Sequence, residues 1–198
     1  MKKLSVIATV MALAASAFAV EVGKPAPDFT ATDITGKTVH LSDYSGKIIV
    51  IESYNSDCPY CNNQYKTGAM QDLQKDLAAK GVVWLLVNSV NPHNSSHRSD
   101  AQAQTEMSAE HMNVTAWIDD SSGAVGHLYG METTPHMFVI DKGGKLVYDG
   151  AIDNQADPFH NPKTADNYVK DAVDDLLAGK PIAVSQTKPY GCGVKYAD

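Results

Sequence analysis

Cys58-Pro59-Tyr60-Cys61 places two thiols two residues apart, directly after the apolar run Ile48-Ile49-Val50-Ile51 and ahead of a long helical pattern. With Cys58 at the mouth of that helix and Cys61 in its first turn, the two side chains share one face at an i, i+3 spacing. Two sulfurs so placed are within bridging reach without backbone strain. Pro59 suits the first helical position, where its missing N–H costs nothing and its fixed φ favours helix entry. The first sulfur then faces the unpaired N–H groups and the positive end of the helix, which stabilise a thiolate. A thiolate with a second thiol beside it is the minimum equipment for thiol–disulfide exchange. Two other uses stand beside this one. Half a zinc site needs a second ligand pair, and the remaining cysteine is Cys192; His93 and His97 are suitably spaced but lie in a polar Asn/Ser loop. A pair of buried, inert cysteines is the third.

The elements that must position the pair follow from the chain around it. Met1-Lys2-Lys3 is a short positive segment, Leu4 to Ala15 is apolar, and Ala17-Phe18-Ala19 fits a small-x-small cleavage site, so residues 1–19 read as an export signal. That run is too short for a comfortable transmembrane helix, and no later segment is long and apolar enough to span a bilayer. The expected product is soluble, without membrane insertion after cleavage, in a disulfide-permitting compartment. The leader is of bacterial type, so that compartment is the periplasm, with secretion to the medium as the alternative. About 179 residues remain, enough for one domain with a proper core. The net charge is −7, and Arg98 is the single arginine. Such an acidic chain is a poor binder of nucleic acid or anionic membrane.

Gly23 to Phe29 is a Pro-rich lead-in, and Thr38 to Leu41 alternates as a short strand after Thr35-Gly36. Ile48 to Tyr54 reads as a buried strand, followed by the cysteine pair and one helix to about Ala79, ended by Gly81. Val82 to Val90 is a second buried strand. Asn91 to Asp100 is a loop, Ala101 to Met112 is helical, and Val114 to Ile118 is a strand. A short helix carries Val125 and Leu128. Met137 to Ile140 and Lys145 to Ile152 form a hairpin about Lys142-Gly143-Gly144. Asp153 to Lys163 is a polar loop, and Ala165 to Leu177 an amphipathic helix. Residues 20–179 thus form one domain, and 180–198 a tail carrying Cys192. The order predicts an α/β fold with a mixed sheet and helices on both faces. Chemistry in such sheets gathers at strand carboxyl ends, where Cys58 falls.

This pattern resembles the thioredoxin-like superfamily, and more narrowly its exported redoxin members, the peroxiredoxin-like group with an alkyl hydroperoxide reductase/thiol-specific antioxidant (AhpC/TSA) domain. The resemblance rests on Gly23-Lys24-Pro25-Ala26-Pro27-Asp28-Phe29, on the cysteine pair after a buried strand, and on Thr133-Thr134-Pro135-His136-Met137-Phe138-Val139-Ile140-Asp141 before a hairpin. The ending Lys188-Pro189-Tyr190-Gly191-Cys192 also resembles one found in that group. It implies a three-layer α/β/α sandwich with a central mixed sheet, and a cis Thr134-Pro135 bond facing the thiols. Spacing alone would allow a trans proline that merely starts a strand. Thr134 backbone groups beside the sulfurs would let an incoming peptide pair in β-fashion. Glu52, six residues before Cys58, falls where thioredoxins carry a buried carboxylate. Burial would raise its pKa toward neutrality and fit it to take the proton from Cys61. A strand-end glutamate reaching solvent is the alternative.

The chain also departs from that pattern. Asp57 replaces the usual tryptophan, and a carboxylate there opposes a thiolate; a protonated His136 would offset it, unless that ring simply packs and hydrogen-bonds. A peroxiredoxin carries a Thr or Ser three residues before its peroxidatic cysteine, a proline seven before, and a downstream arginine. Here those earlier positions are Asn55 and Ile51, and Arg98 lies in a polar loop outside the family's position. The expected function is thiol–disulfide exchange with a protein or small-molecule thiol or disulfide, fed by an upstream electron donor or acceptor. It needs no metal and no cofactor beyond the Cys58/Cys61 dithiol. A thiol-dependent peroxidase is the second reading, a non-enzymatic metal-handling module the third. The Tyr190-Gly191-Cys192-Gly193 ending reads as flexible and polar. Cys192 is either an alternative resolving thiol for Cys58 or a spare surface thiol.

Overall fold

The computed structural model describes residues 20–197; the export signal expected over 1–19 lies outside the described residues. A five-stranded mixed sheet organises the chain. Its central strand β3 is Ile49–Ser53, reached after a small antiparallel pair, β1 (Thr30–Thr32) and β2 (Thr38–His40). Strand β4 (Val83–Asn88) runs parallel to β3, and β5 (Ala116–Asp119) parallel to β4. On the other side, β7 (His136–Ile140) is antiparallel to β3 and β8 (Leu146–Gly150) antiparallel to β7, after the two-residue β6 (Thr133–Thr134). The sheet order is β5-β4-β3-β7-β8.

Both sheet faces are buried, and the period-two alternation of strands sorts their residues. Val50, Trp84, Leu86 and Val139 enter one core with the helices α1 (Pro59–Lys66), α2 (Ala69–Ala79) and α5 (Tyr168–Leu177). Ile49, Ile51, Leu85 and Phe138 enter a second core with Phe29, Val39 and the short α4 (Ala124–Tyr129). Helix α3 (Asp100–Ala109) contributes Ala103 to the first core. The α/β fold with a mixed sheet and helices on both faces stands as read from sequence. The layer over the second core is thin, one six-residue helix plus the β1–β2 hairpin.

One element differs from expectation. The helix read through to Ala79 is two helices, broken at Thr67-Gly68. The Thr67 hydroxyl donates back to the Asn63 carbonyl at 2.7 Å, and Gly68 adopts φ +77°. That left-handed backbone redirects the chain, and only glycine reaches it without steric cost.

The tail also differs. Residues 185–196 run back over the domain rather than hanging free. Asp149 N–H donates to the Ser185 carbonyl at 3.2 Å, and Ala151 N–H to the Thr187 hydroxyl at 2.9 Å. A last strand, β9 (Cys192–Gly193), pairs antiparallel with β6, setting Cys192 opposite Thr134. Among the described residues no helix is long and apolar enough to cross a membrane.

Candidate active site

The site lies past the carboxyl end of β3. Ser53 pairs with His136, so the residues following one strand and preceding the other are neighbours in space. After β3 the chain turns through residues 54–57, and Cys58 N–H donates to the Asn55 carbonyl at 3.1 Å. Cys58 is the helix N-cap in extended conformation, with Pro59 in the first helical turn of α1. Cys61 follows one turn on. On the facing side Thr134-Pro135 is cis, and the Cys58 thiol donates to the Thr134 carbonyl at 2.9 Å. The sequence-expected Cys58, Cys61, Thr134 and Pro135 thus converge.

The two thiols of the pair are electrostatically unlike. Cys58 is held well below the usual thiol range. The largest cause is the Cys61 thiol donating to it, helped by the Thr134 side chain, the Cys61 backbone N–H and the Cys192 thiol, against the cost of burial. Cys61 moves the opposite way, well above the usual range. Burial dominates; the Cys58 sulfur and the Glu52 charge add to it, and the Asn55 backbone opposes it. A lowered thiol beside a raised one is an arrangement that suits thiol–disulfide exchange.

Glu52 sits behind Cys61. It shares strand parity with Val50 and so points into the first core, fully buried. Trp84 Nε1–H donates to Oε2 at 2.9 Å, and the Tyr65 hydroxyl lies 3.0 Å from the same oxygen. Burial pushes its pKa up to about 8, while these two donors hold it down. A carboxyl group poised near neutrality suits proton exchange with a buried thiol. Trp84 and Tyr65, which hold it, were not singled out from the sequence.

Asp57 has a partner that the sequence did not assign, and His136 takes the packed, hydrogen-bonded alternative. Asp57 meets Arg98 at 2.5 Å, and Arg98 Nε lies 3.5 Å from Glu106, which also accepts from Ser56 Oγ at 2.7 Å. The single arginine, read from the sequence as lying in a polar loop outside the family's position, therefore balances the carboxylate next to Cys58. His136 does not perform that task. It is buried, with Nε2 2.8 Å from Asp149 Oδ1 and Nδ1 receiving Glu132 N–H at 3.2 Å. Sequence offered one clue to the arginine: an acid beside a nucleophile requires a counter-charge, and the chain has one guanidinium.

Cys192 comes into the site. Its strand position opposite Thr134 sets the third thiol against the first, and the edge expected to receive a peptide is filled by the protein's own tail. Burial and the Cys58 sulfur raise the Cys192 thiol to about 11. Cys58 is only 1% exposed and Cys61 0%. Among the described residues no group of three or more His, Cys, Asp or Glu has metal-holding geometry.

Comparison with known proteins adds four findings. A sequence model of the AhpC/TSA family matches residues 22–149. Thiol-disulfide oxidoreductase ResA of Geobacillus kaustophilus (strain HTA426) is 32% identical over 129 residues, covering 65% of this chain and 68% of that protein. Among solved structures, a hypothetical protein from Sinorhizobium meliloti 1021 superposes with a TM-score of 0.79 at 23% identity, covering 91% of this chain and 97% of that one. The thioredoxin domain of a thiol-disulfide oxidoreductase from Bacteroides vulgatus gives 0.52 at 19% identity, over 66% and 89%. These two structures share the fold, which is thioredoxin-like.

Proposed function

The chain belongs to the AhpC/TSA family, and from that premise we propose that it is a thiol–disulfide oxidoreductase working through Cys58 and Cys61. The observation that carries this reading is the placement of Cys58 at the N-cap of α1, with Cys61 one turn on and the Cys58 thiol 2.9 Å from the carbonyl of the cis Thr134-Pro135 bond; the opposite displacement of the two thiols supports it. The similarity to ResA supports the same class of chemistry.

In the reducing direction, the Cys58 thiolate attacks one sulfur of a substrate disulfide, forming a Cys58–substrate bond and releasing the other sulfur as thiolate. Cys61 then passes its proton toward the Glu52 carboxylate and attacks Cys58 Sγ. The substrate leaves as its second thiolate, and a Cys58–Cys61 disulfide remains. Two electrons have passed to the substrate, and no cofactor beyond the dithiol takes part. The oxidising direction runs the same steps backward. Residues 1–19 act as an export signal in this proposal, 20–179 as the redox domain and 180–198 as its tail. The compartment is periplasmic, where an upstream donor or acceptor resets the pair.

Family membership also favours a second reading, a thiol-dependent peroxidase. Arg98 is engaged with Asp57 and Glu106, and Asn55 stands where a peroxidase would carry a hydroxyl. Both departures weigh against strong stabilisation of a departing hydroxide. The experiment exposes reduced protein separately to hydrogen peroxide and to an oxidised protein substrate, quenches with an alkylating agent and maps the sulfurs by mass. Fast exchange with the protein disulfide and slow peroxide consumption support thiol exchange. The reverse ranking establishes the peroxidase, and a Cys58→Ser variant of undiminished exchange activity removes both.

A further inference from the structure

Three thiols, not two, meet at the end of β3, and the third arrives on a segment anchored on both sides. Before it, the Tyr190 hydroxyl donates to Asp153, and its ring lies 5.7 Å from Tyr60 of the cysteine turn. Asp153 is itself buried and also accepts from Gln64 at 2.7 Å and His160 at 3.1 Å, so the anchor point is held by three partners. After it, Val194 N–H donates to the Glu132 carbonyl at 3.2 Å, and Asn91 N–H to the Lys195 carbonyl at 2.8 Å. Tyr196 donates to the Met131 carbonyl at 2.8 Å and stacks on His127 at 3.9 Å. Between the anchors Gly191, at φ +145°, passes so close to the edge that a Cβ there would stand 2.1 Å from the Thr134 carbonyl oxygen. That carbonyl is the one the Cys58 thiol meets.

We propose that the C-terminal strand is a tethered occupant of the peptide edge, delivering Cys192 to Cys58 as a second intramolecular disulfide partner. This rests on the proposed exchange chemistry at Cys58 and specifies its regulation. Two steps define it. With Cys58 and Cys61 bonded, Cys192 gives up its proton and attacks Cys58 Sγ; a Cys58–Cys192 bond replaces the Cys58–Cys61 bond, and Cys61 leaves and takes up a proton. No electrons are gained or lost overall. For an outside substrate to pair at Thr134, the strap must leave, because both cannot hold the same edge. Cys58 is therefore closed to large partners while the strap is docked and open when it is released.

A Cys61→Ser variant isolates the second partner. Oxidised glutathione is added to the reduced variant. Cys58 attacks it, forming a glutathione adduct and releasing one glutathione thiolate; Cys192 then displaces the other and closes the Cys58–Cys192 bond. One glutathione disulfide is reduced to two thiols as two protein thiols become one disulfide. A tethered thiol acts at an effective concentration of roughly millimolar or more, so the expected product is an intramolecular Cys58–Cys192 linkage, mapped by peptide mass, formed at a rate independent of protein concentration. Persistence of the glutathione adduct with Cys192 alkylatable, or a linked dimer, overturns the proposal. The additional change Gly191→Ala expels the strap without touching a cysteine. It is expected to slow closure of the bond at least about tenfold and to speed alkylation of Cys58 by a bulky maleimide, with far-ultraviolet circular dichroism confirming the fold. Unchanged rates in that folded variant also overturn it. Failure of unmodified protein to exchange with a protein disulfide, while the Cys61→Ser variant still closes on Cys192, removes the proposed function and leaves the strap standing; the converse pattern removes the strap alone.

Discussion

Replacing Glu52 with glutamine should change the pH dependence of stability, because the buried carboxyl titrates far from its usual range. Its pKa moves from 4.5 to about 8. A carboxyl raised in the folded state keeps its proton longer there than in the unfolded chain. Folding is then favoured fully below pH 4.5, and stability declines as pH rises from that value toward 8. Each pH unit in that window costs about 1.4 kcal/mol per proton. Allowing for partial titration at both ends, the decline between about pH 5 and about pH 7.5 amounts to about 3 kcal/mol. The amide of the Glu52→Gln variant cannot titrate and keeps an oxygen to accept from Trp84 Nε1 and Tyr65. Its own cost, an amide N–H₂ short of partners, is the same at every pH. The lowered Cys58 thiol acts with opposite sign, adding stability as pH rises, but it does so in both proteins and cancels in their difference. Urea denaturation of the two reduced proteins at about pH 5 and about pH 7.5 should therefore show the variant gaining about 3 kcal/mol on the parent, a midpoint change of roughly 1.5 M. A stability difference that stays constant across this window would mean that Glu52 is solvated and already ionised. The argument that it is poised to exchange a proton with Cys61 would then fail.

Other outcomes follow from the same geometry. Arg98→Ala leaves Asp57 without its counter-charge and should raise the Cys58 pKa by ~0.5–1 unit, read from thiolate ultraviolet absorbance against pH; an unmoved titration refutes the screening role. Gly68→Ala forces a β-carbon into φ +77° and should cost about 1 kcal/mol, checked by urea denaturation with the redox site intact. Cys61→Ser in combination with Cys192→Ser removes both resolving thiols, so a substrate should remain covalently bound to Cys58 and be recovered on non-reducing gels. Turnover by this double variant at the parental rate would refute both resolving roles.

The sheet was legible because its strands obey simple patterns. Ile48 to Ile51 and Val82 to Val87 are apolar on both faces, which a strand covered on both sides requires, and Gly143-Gly144 marks the hairpin. The break between α1 and α2 was legible in principle. Gly68 sits inside the helical pattern, but an isolated glycine is often tolerated there. What turned it into a break is Thr67 bonding back to Asn63, a local choice that hydrophobic periodicity does not encode. The thiol pair was readable because the i, i+3 rule fixes it with no knowledge of distant residues, and Glu52 because the family resemblance implies a buried carboxylate six residues before Cys58.

The parts of the site that escaped the sequence are those made by contacts across long separations. Arg98 reaches Asp57 over 41 positions and Tyr190 reaches Asp153 over 37. The tail is the clearest case. A two-residue strand carries no period, and a segment with Pro, Gly and polar residues reads as flexible. Tyr190 and Tyr196, placed on either side of the Cys192–Gly193 strand, are what make it ordered: each hydroxyl has a fixed acceptor, and each ring lies against another. Aromatic residues with polar tips are costly to leave exposed and rewarding to dock. Their placement about a cysteine was a signal in the sequence. Its consequence is chemical as well as structural, because the docked segment brings a third thiol against the pair. The burial of Cys58 therefore does not argue against exchange with a partner. On the proposed strap, the gate lies in the residues whose hydrogen bonds must break before a large outside disulfide can pair at Thr134.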